Sequence, residues 1–473
     1  MFIAAELKRI SCCRPSLFLL RDRGKGTEVI PPQKTKPGPI MRPAARIQTT
    51  IELLAEVLES SLPMDRVVTN YLRARRFIGS GDRRDINARV YGVIRALCRL
   101  DWWTLQAGLE GDSRSQVFAY CLLSEGLKVS DLDAFCDGGQ HSPEPLSSFE
   151  GEALATLEGF GLDHPDMPPA VLGELPDWLF SLFEQQYGAE QARIEVAGLK
   201  GEASIDLRIN SLRSKRDEVL EQLVSDGIAC EKTSHSPWGL RVEGRTTLGN
   251  SRAYREGLVE VQDEGSQMIA LLCDARPGMS VIDLCAGAGG KTLALAASMD
   301  NDGDLVAMDV DPKRLQRAEP RVSKAGVEIV RYARLDKATL RGFAALGFDR
   351  VLVDAPCSGS GTWRRQPDAR LHLTRERLDH YRSLQLSVLD QAAPCVKPGG
   401  RLIYATCSLL DEENSLQIAA FLKKHPDFSQ LDARQIWQSI GGKSCPFDGP
   451  AMQLTPAQHG LDGFFCTVLE KKS

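Results

Sequence analysis

The chain has 473 residues, 42% hydrophobic and 26% charged, enough for two or three domains with ordinary globular cores. A formal net charge of −5 gives no global sign of a polyanion partner, so any such partner has to meet local patches. No run approaches the ~20 apolar residues of a membrane span, and Leu17 to Leu20 is too short for a signal-peptide core; the expectation is a cytoplasmic protein without a membrane partner.

Residues 1–40 mix basic charge with Pro31, Pro32, Pro37 and Pro39 and show no hydrophobic period, so they read as a disordered extension, with Met41 a candidate start. A mitochondrial presequence is the alternative, weakened by Glu6, Asp22 and the prolines. From residue 41 to 165 the apolar residues take helical spacing, as in Ile51, Leu54, Val57 and Leu58, and again in Ile86, Val90, Val93, Ile94 and Leu97. Asp82 or Asp85 is positioned to cap the second of these helices, and further helical patterns cover 115–125 and 150–157. Arg75, Arg76, Arg83, Arg84, Arg89, Arg95 and Arg99 make this region locally basic, either as a solvated face or as an RNA-docking face.

Residues 166–264 read as a small α/β unit, with a helix over 176–187, an alternating strand over 204–210, a helix over 215–226 and a strand over 257–261. From residue 265 to 473 strands alternate with helices, the rhythm of a doubly wound α/β sheet covered on both faces. Strands are expected at 281–285, 305–309, 327–332, 350–354, 401–406 and 463–469. Two basic runs, 311–350 and 361–382, lie beside the motifs of this region and offer either solvated helix faces or a polyanion surface.

The strand at 281 breaks into Leu284-Cys285-Ala286-Gly287-Ala288-Gly289-Gly290-Lys291-Thr292, a glycine-rich turn entering a helix, where backbone N–H groups face a ligand beyond the strand ends. The next strand ends in Asp309, 22 residues after Gly287, the spacing at which an acid binds ribose hydroxyls. The loop fits neither phosphate-binding fingerprint, so an adenosyl cofactor without phosphates, S-adenosylmethionine, fits better than ATP or NAD. Asp336, after the third strand, is placed either to bond an adenine amino group or to cap an exposed helix.

Thirteen cysteines occur, none with Cys-x-x-Cys or Cys-x-x-His spacing, so no metal site is expected and most read as reduced core fillers. Two stand apart. Cys357, in Asp354-Ala355-Pro356-Cys357-Ser358-Gly359, and Cys407, in Thr406-Cys407-Ser408, follow neighbouring expected strands and point to thiol chemistry beside the cofactor.

These motifs resemble the RsmB/Nop family of S-adenosylmethionine-dependent RNA cytosine-carbon-5 methyltransferases. The likeness runs through Asp283–Thr292, Asp354–Gly359 and Thr406–Ser408, and extends to Leu207–Leu212, Val261–Ser266 and Asp462–Phe465. The helical region, with Gly81-Asp82-Arg83-Arg84 and Val90–Arg95, is similar to the NusB-like RNA-binding domain of bacterial members. The resemblance implies a class I methyltransferase (Rossmann-like) fold and methyl transfer to RNA, with 16S ribosomal RNA favoured and transfer RNA open. It further implies that Cys407 attacks carbon 6 of the cytosine, that Cys357 helps remove the carbon-5 proton, that Asp354 bonds the base near ring nitrogen 3 and that Lys291 orients the site. Residues 285–291 with Asp309, Asp336 and Asp354 would hold the cofactor. One departure is Ala288, where the family commonly has proline, which implies a more flexible loop. Two rivals remain: a DNA cytosine methyltransferase with Cys357 as nucleophile, and a ribosome-assembly scaffold with little catalysis. A monomer is expected.

Overall fold

The computed structural model describes residues 41–473 apart from 245, 442 and 443; the extension expected over residues 1–40 lies outside the described residues. Seven helices, from Pro43–Glu59 to Ser148–Ala155, build the first unit. Leu53, Leu54 and Val57 of the first helix and Ile86, Val90, Val93 and Ile94 of helix Ser80–Arg95 recur at helical spacing, so each set falls on one face. Those faces meet Leu100, Phe118 and Leu122 in one core, which is why an amphipathic pattern becomes a bundle here. The expected cap is corrected. Helix Ser80–Arg95 starts after Gly79 with no side-chain cap, and Asp82 is a buried first-turn residue whose carboxylate accepts from the Met41 N–H at 3.2 Å.

A four-stranded antiparallel sheet follows: β1 (Ile205–Ile209), β2 (Cys230–Lys232), β3 (Gly239–Val242) and β4 (Val259–Val261), in the order β2-β3-β1-β4. Helix Arg216–Ser225 covers it, packing Val219 and Leu223 on Leu207, Ile209, Leu240 and Val259. Strands β2 and β3 are three and four residues long, too short to leave an alternation in the sequence.

The second sheet comprises β5 (Ser280–Asp283), β6 (Asp304–Asp309), β7 (Val330–Arg334), β8 (Phe348–Asp354), β9 (Val396–Thr406), β10 (Phe428–Gln430), β11 (Met452–Leu454) and β12 (Phe464–Lys471). Its order is β10-β12-β9-β8-β5-β6-β7, with β11 on β12; β5 to β9 pair in parallel and β12 runs antiparallel to β9. Successive residues alternate between two cores. Val281, Leu305, Leu352, Ile403 and Ala405 enter one, while Ile282, Val306, Val351, Val353, Leu402 and Tyr404 enter the other. Period-two burial on both faces is what turns these strands into near-continuous apolar runs. The chain winds outward from β5 through β6 and β7, then returns to the other side of β5 with β8. The carboxyl ends of β5, β6, β8 and β9 therefore open onto one crevice at the switch point.

The helical unit docks through buried charge. Fully buried Glu174 accepts from Arg99 Nε at 2.6 Å, from the Cys98 N–H at 2.9 Å and from Arg370 Nη2 at 3.3 Å, and Arg370 also donates to the Ile94 carbonyl at 2.6 Å. This corrects half of the basic run at 361–382. Arg370 is part of that network, Arg364 is buried against Asp462 at 3.0 Å, and Arg365 pairs with Asp462 and, at 3.0 Å, with Asp263. Arg99 drops out of the basic face for the same reason. Glu174→Ala removes the carboxylate shared by two buried guanidinium groups, leaving Arg370 only the Ile94 carbonyl and Arg99 only Asp163, and is expected to cost about 3–5 kcal/mol, measurable as a lower chemical-denaturation midpoint of the helical unit.

Candidate active site

The glycine-rich turn has a local reason for each glycine that shapes the crevice. Gly289 sits at φ +81°, and a Cβ there would stand 2.9 Å from the Ala318 Cβ, so the turn can approach the neighbouring helix only without a side chain. Gly287, at φ +56°, lines the cavity, and a Cβ on it would meet no protein atom within 4 Å. Its bare backbone leaves ligand space open. The Gly287 N–H donates to Asp309 Oδ2 and the Asp311 N–H to Oδ1, both at 2.9 Å, which couples the turn after β5 to the end of β6. Ala288 replaces the expected proline, yet its carbonyl is held by Arg321, itself paired with Glu260 at 2.8 Å.

The resulting cavity of about 510 Å³ is lined by residues 284–288, Gly290, Lys291, Asp309 and Asp354, with Val310, Leu335, Leu384 and Val388 as apolar wall. That volume and mixed lining suit one adenosyl ligand. An apolar slot can take the base, Asp309 can accept from a ribose, and the carboxylates of Asp309 and Asp354 complement a cationic sulfonium. Gln262, Asp263 and Ser266 close the cavity from β4 and the helix after it, Glu264–Leu272. The sequence reading gave them no role, although they lie in the Val261–Ser266 run. Burial, with the Asp462 and Asp206 charges, pushes Asp263 up to about 6. Asp283, under the turn, is also buried; burial raises it to about 7 while it accepts from Thr292 Oγ1 at 2.8 Å. Asp336 is not brought into the cavity. It is exposed and caps helix Lys337–Leu346, accepting from the Ala338 and Thr339 N–H groups at 3.1 and 2.9 Å.

Asp354 ends β8 and pairs in register with Ala405 of β9, so the chain segments after the two strands emerge side by side. The Gly361 N–H donates to the Cys407 carbonyl at 2.9 Å, tying one segment to the other. Cys357 and Cys407 place their sulfurs 3.5 Å apart. All eleven cysteines among the described residues are free thiols. The hydrogen bond from Cys357 pulls the Cys407 thiol below its ordinary value; burial, Asp354 and Glu413 oppose this, and the Lys291 ammonium assists it. The same bond, with burial, pushes Cys357 well up. The pair is thus asymmetric, Cys407 being the more readily ionised of the two thiols. Lys291 Nζ donates to Asp354 Oδ2 at 2.6 Å. Burial disfavours its charge, but Asp354, with Cys407 and Asp283, holds the Lys291 pKa up.

A Rossmann-like sheet with a cavity lined by Asp309, Asp354 and the glycine-rich turn at its switch point is the fold of an S-adenosylmethionine-dependent methyltransferase. Residues 270–470 match the family described as 16S rRNA methyltransferase RsmB/F, and residues 175–248 match the ferredoxin-like domain of the same proteins. The chain belongs to this RsmB/F family. It is 33% identical over 334 residues to a probable ribosomal RNA small subunit methyltransferase B of Bacillus subtilis, covering 69% of this chain and 72% of that one. Over 445 residues it is 33% identical to the ribosomal RNA small subunit methyltransferase B of Citrobacter koseri, covering 90% and 99%. Among solved structures, a methyltransferase homologue from Pyrococcus horikoshii superposes with TM-score 0.56 at 26% identity, covering 64% of this chain and 97% of that one.

Lys291→Met removes the cation that favours the Cys407 thiolate and frees Asp354, whose charge disfavours it. Both changes raise the thiol pKa. Alkylation of Cys407 by iodoacetamide, followed by peptide mass spectrometry across pH, is therefore expected to reach half-maximal rate at higher pH in the variant.

Proposed function

We propose that this protein transfers a methyl group to carbon 5 of a cytosine in RNA, and that the RNA is the small-subunit ribosomal RNA named for its bacterial relatives. The observation that carries this reading is the polarised thiol pair, 3.5 Å apart, beside the Lys291–Asp354 pair at the mouth of the cofactor cavity. Carbon 5 of cytosine is a poor nucleophile until a nucleophile adds to carbon 6, and a thiolate suits that addition. Cys407 forms the sulfur–carbon bond, and the displaced electron pair makes carbon 5 nucleophilic. Asp354, oriented by Lys291, hydrogen-bonds the base edge near ring nitrogen 3. S-adenosylmethionine supplies an electrophilic methyl carbon when bound; Asp309 and residues 285–291 hold its adenosyl part.

Carbon 5 then carries a methyl group and a proton. Once Cys407 is bonded to the base, the hydrogen bond that kept Cys357 protonated is gone, and Cys357 can lose its proton to solvent. It then takes the carbon-5 proton. The released electron pair restores the double bond, and the carbon 6–sulfur bond breaks with its pair returning to Cys407. Reaching the thiols requires an unstacked base, at a cost of about a few kcal/mol that is least in unpaired RNA.

The helical unit supports the same reading. Arg73, Arg76 and Arg84 are exposed, and Phe77, next to Arg76 in the chain, is 73% exposed. Arg83, Arg84 and Arg95 line a cleft of about 880 Å³ whose other wall carries Arg364 and Arg365, on the segment that follows Cys357. Cationic side chains next to an exposed ring suit a stacked, single-stranded segment. Charge reversal of Arg76 and Arg84 together is expected to weaken binding of a ribosomal RNA fragment and to flatten its salt dependence by about one per arginine; unchanged binding would assign RNA capture elsewhere.

Bisulfite sequencing of 16S ribosomal RNA from cells with and without the gene tests the function. Loss of one cytosine signal is expected, unrestored by the Cys407→Ala variant; an unchanged RNA overturns the reading. In vitro, Cys407→Ala is expected to abolish transfer, while Cys357→Ala accumulates a protein–RNA adduct that survives denaturing electrophoresis. An adduct on the Cys407 variant would reverse the two roles.

A further inference from the structure

We propose that Glu413 is a positioning residue that sets the separation of the two reactive sulfurs and thereby governs release of the methylated RNA. The inference rests on the thiol chemistry proposed above.

Glu413 lies in the short helical turn Asp411–Glu413, six residues after Cys407, and is fully buried. Its Oε1 accepts from the Ser358 N–H at 2.8 Å and from Gln385 Nε2 at 3.0 Å. Its Oε2 accepts from the Ser408 hydroxyl at 2.5 Å and from the Ser358 hydroxyl. Ser358 follows Cys357 in the chain, and Ser408 follows Cys407. One carboxylate therefore binds both cysteine segments at once.

Two neighbours extend the clamp. Gln385 also donates to the Pro356 carbonyl at 3.0 Å, which fixes the residue before Cys357. Asn414 accepts from Thr406 Oγ1 at 2.6 Å and donates to the Ser408 carbonyl at 2.9 Å, so it brackets Cys407 from either side. Among the described residues no lysine or arginine forms an ion pair with Glu413; its four contacts are all hydrogen bonds from neutral donors. A buried network satisfied in this way rigidifies what it connects, and breaking it is costly because the Ser358 N–H loses its acceptor while Gln385 and the two serine hydroxyls keep only their weaker contacts with Pro356, Ser360 and each other.

The chemistry explains why such a clamp matters at one step more than another. Attack on carbon 6 forms a bond to the Cys407 sulfur alone, and Cys357 serves it only by easing the ionisation of that thiol. Release needs the Cys407 sulfur on carbon 6 while the Cys357 sulfur reaches the hydrogen on the adjacent carbon, so it depends on the distance between the sulfurs. A misplacement of about 1 Å at this step is worth about a hundredfold in rate. Glu413 also places negative charge beneath the pair, which disfavours both thiolates. Geometry and charge can therefore be separated by substitution.

Glu413→Ala removes the acceptor. Single-turnover assays on wild-type RNA are expected to show adduct formation continuing while release slows about a hundredfold, with the RNA and cofactor concentrations that half-saturate adduct formation unchanged. Adduct should accumulate on denaturing gels as it does for Cys357→Ala. Glu413→Gln retains one carbonyl acceptor for Ser358 and Gln385 and can turn its amide toward the two hydroxyls; it is expected to restore release. Because the charge is gone, its acid limb should move to lower pH. Ser358→Ala, which removes one hydroxyl of the network and leaves the fold intact, should slow release in the same direction by a smaller factor. Wild-type release in Glu413→Ala overturns the inference. So does a Gln variant as impaired as Ala with lowered melting temperature and lost cofactor binding, which marks a purely structural role. If Cys407→Ala itself methylates RNA like the wild type, the thiol reading falls; if Cys407 is essential and Glu413→Ala releases normally, only the clamp falls.

Discussion

The parallel pairing of β8 with β9 is the constraint on which the site depends. Side chains alternate along both strands, and both faces are buried, so a one-residue slip would drive the Val351, Val353, Leu402 and Tyr404 set into the opposite core. The register Asp354–Ala405 is held by that apolar cost. Everything that follows the two strand ends inherits it: the Gly361 bond to the Cys407 carbonyl, the contact between the sulfurs, and the reach of Asp354 to Lys291 from the neighbouring turn. Hydrophobic burial tens of residues long thus fixes a polar geometry a few ångströms wide.

Within that frame, the charges are arranged so that each group restrains the next. Burial disfavours the Lys291 charge and Asp354 favours it, while Asp354 disfavours the Cys407 thiolate and Lys291 favours it. Cys357 lends its proton to Cys407, so the two sulfurs share one ionisation, as like charges at such a distance must. The polarisation needs no metal ligand and no strong base. It follows first from the hydrogen bond between the two sulfurs, with the Lys291 ammonium assisting Cys407.

Charge has a different use where the units join. Glu174, Arg99 and Arg370 form a buried cluster drawn from the helical unit, the connecting segment and the short helical turn Pro367–His372 of the methyltransferase unit, and Arg364 and Arg365 are spent on Asp462 and Asp263. Burying such groups is expensive unless their geometry is complete, so they specify one docking arrangement rather than add net stability. Arginines of identical appearance in the sequence therefore divide into two populations: those that lock the units together, and those, such as Arg76 and Arg84, that remain exposed.

Much of this was legible in the residues themselves. Helical spacing marked the bundle, apolar runs separated by turns marked five parallel strands, and the glycines, Asp309 and the two cysteines carried the outline of the cofactor and thiol sites, because local backbone preference and side-chain period act within a few residues. The three- and four-residue strands β2, β3, β10 and β11 left no such signal; they exist by pairing with partners distant in sequence. Asp336 had two readings, and the tertiary structure left it capping a helix outside the cavity. Glu413, Asp263 and the buried half of the 361–382 run were invisible for the same reason. Whether a carboxylate or guanidinium is solvated or interred depends on what long-range packing brings against it, and a polar residue carries no periodic mark of its eventual partner. The sequence by itself determined the longer elements and the candidate groups of the site; only the tertiary structure decided the short strands and which of the charged residues face each other, because pairing and burial make that choice.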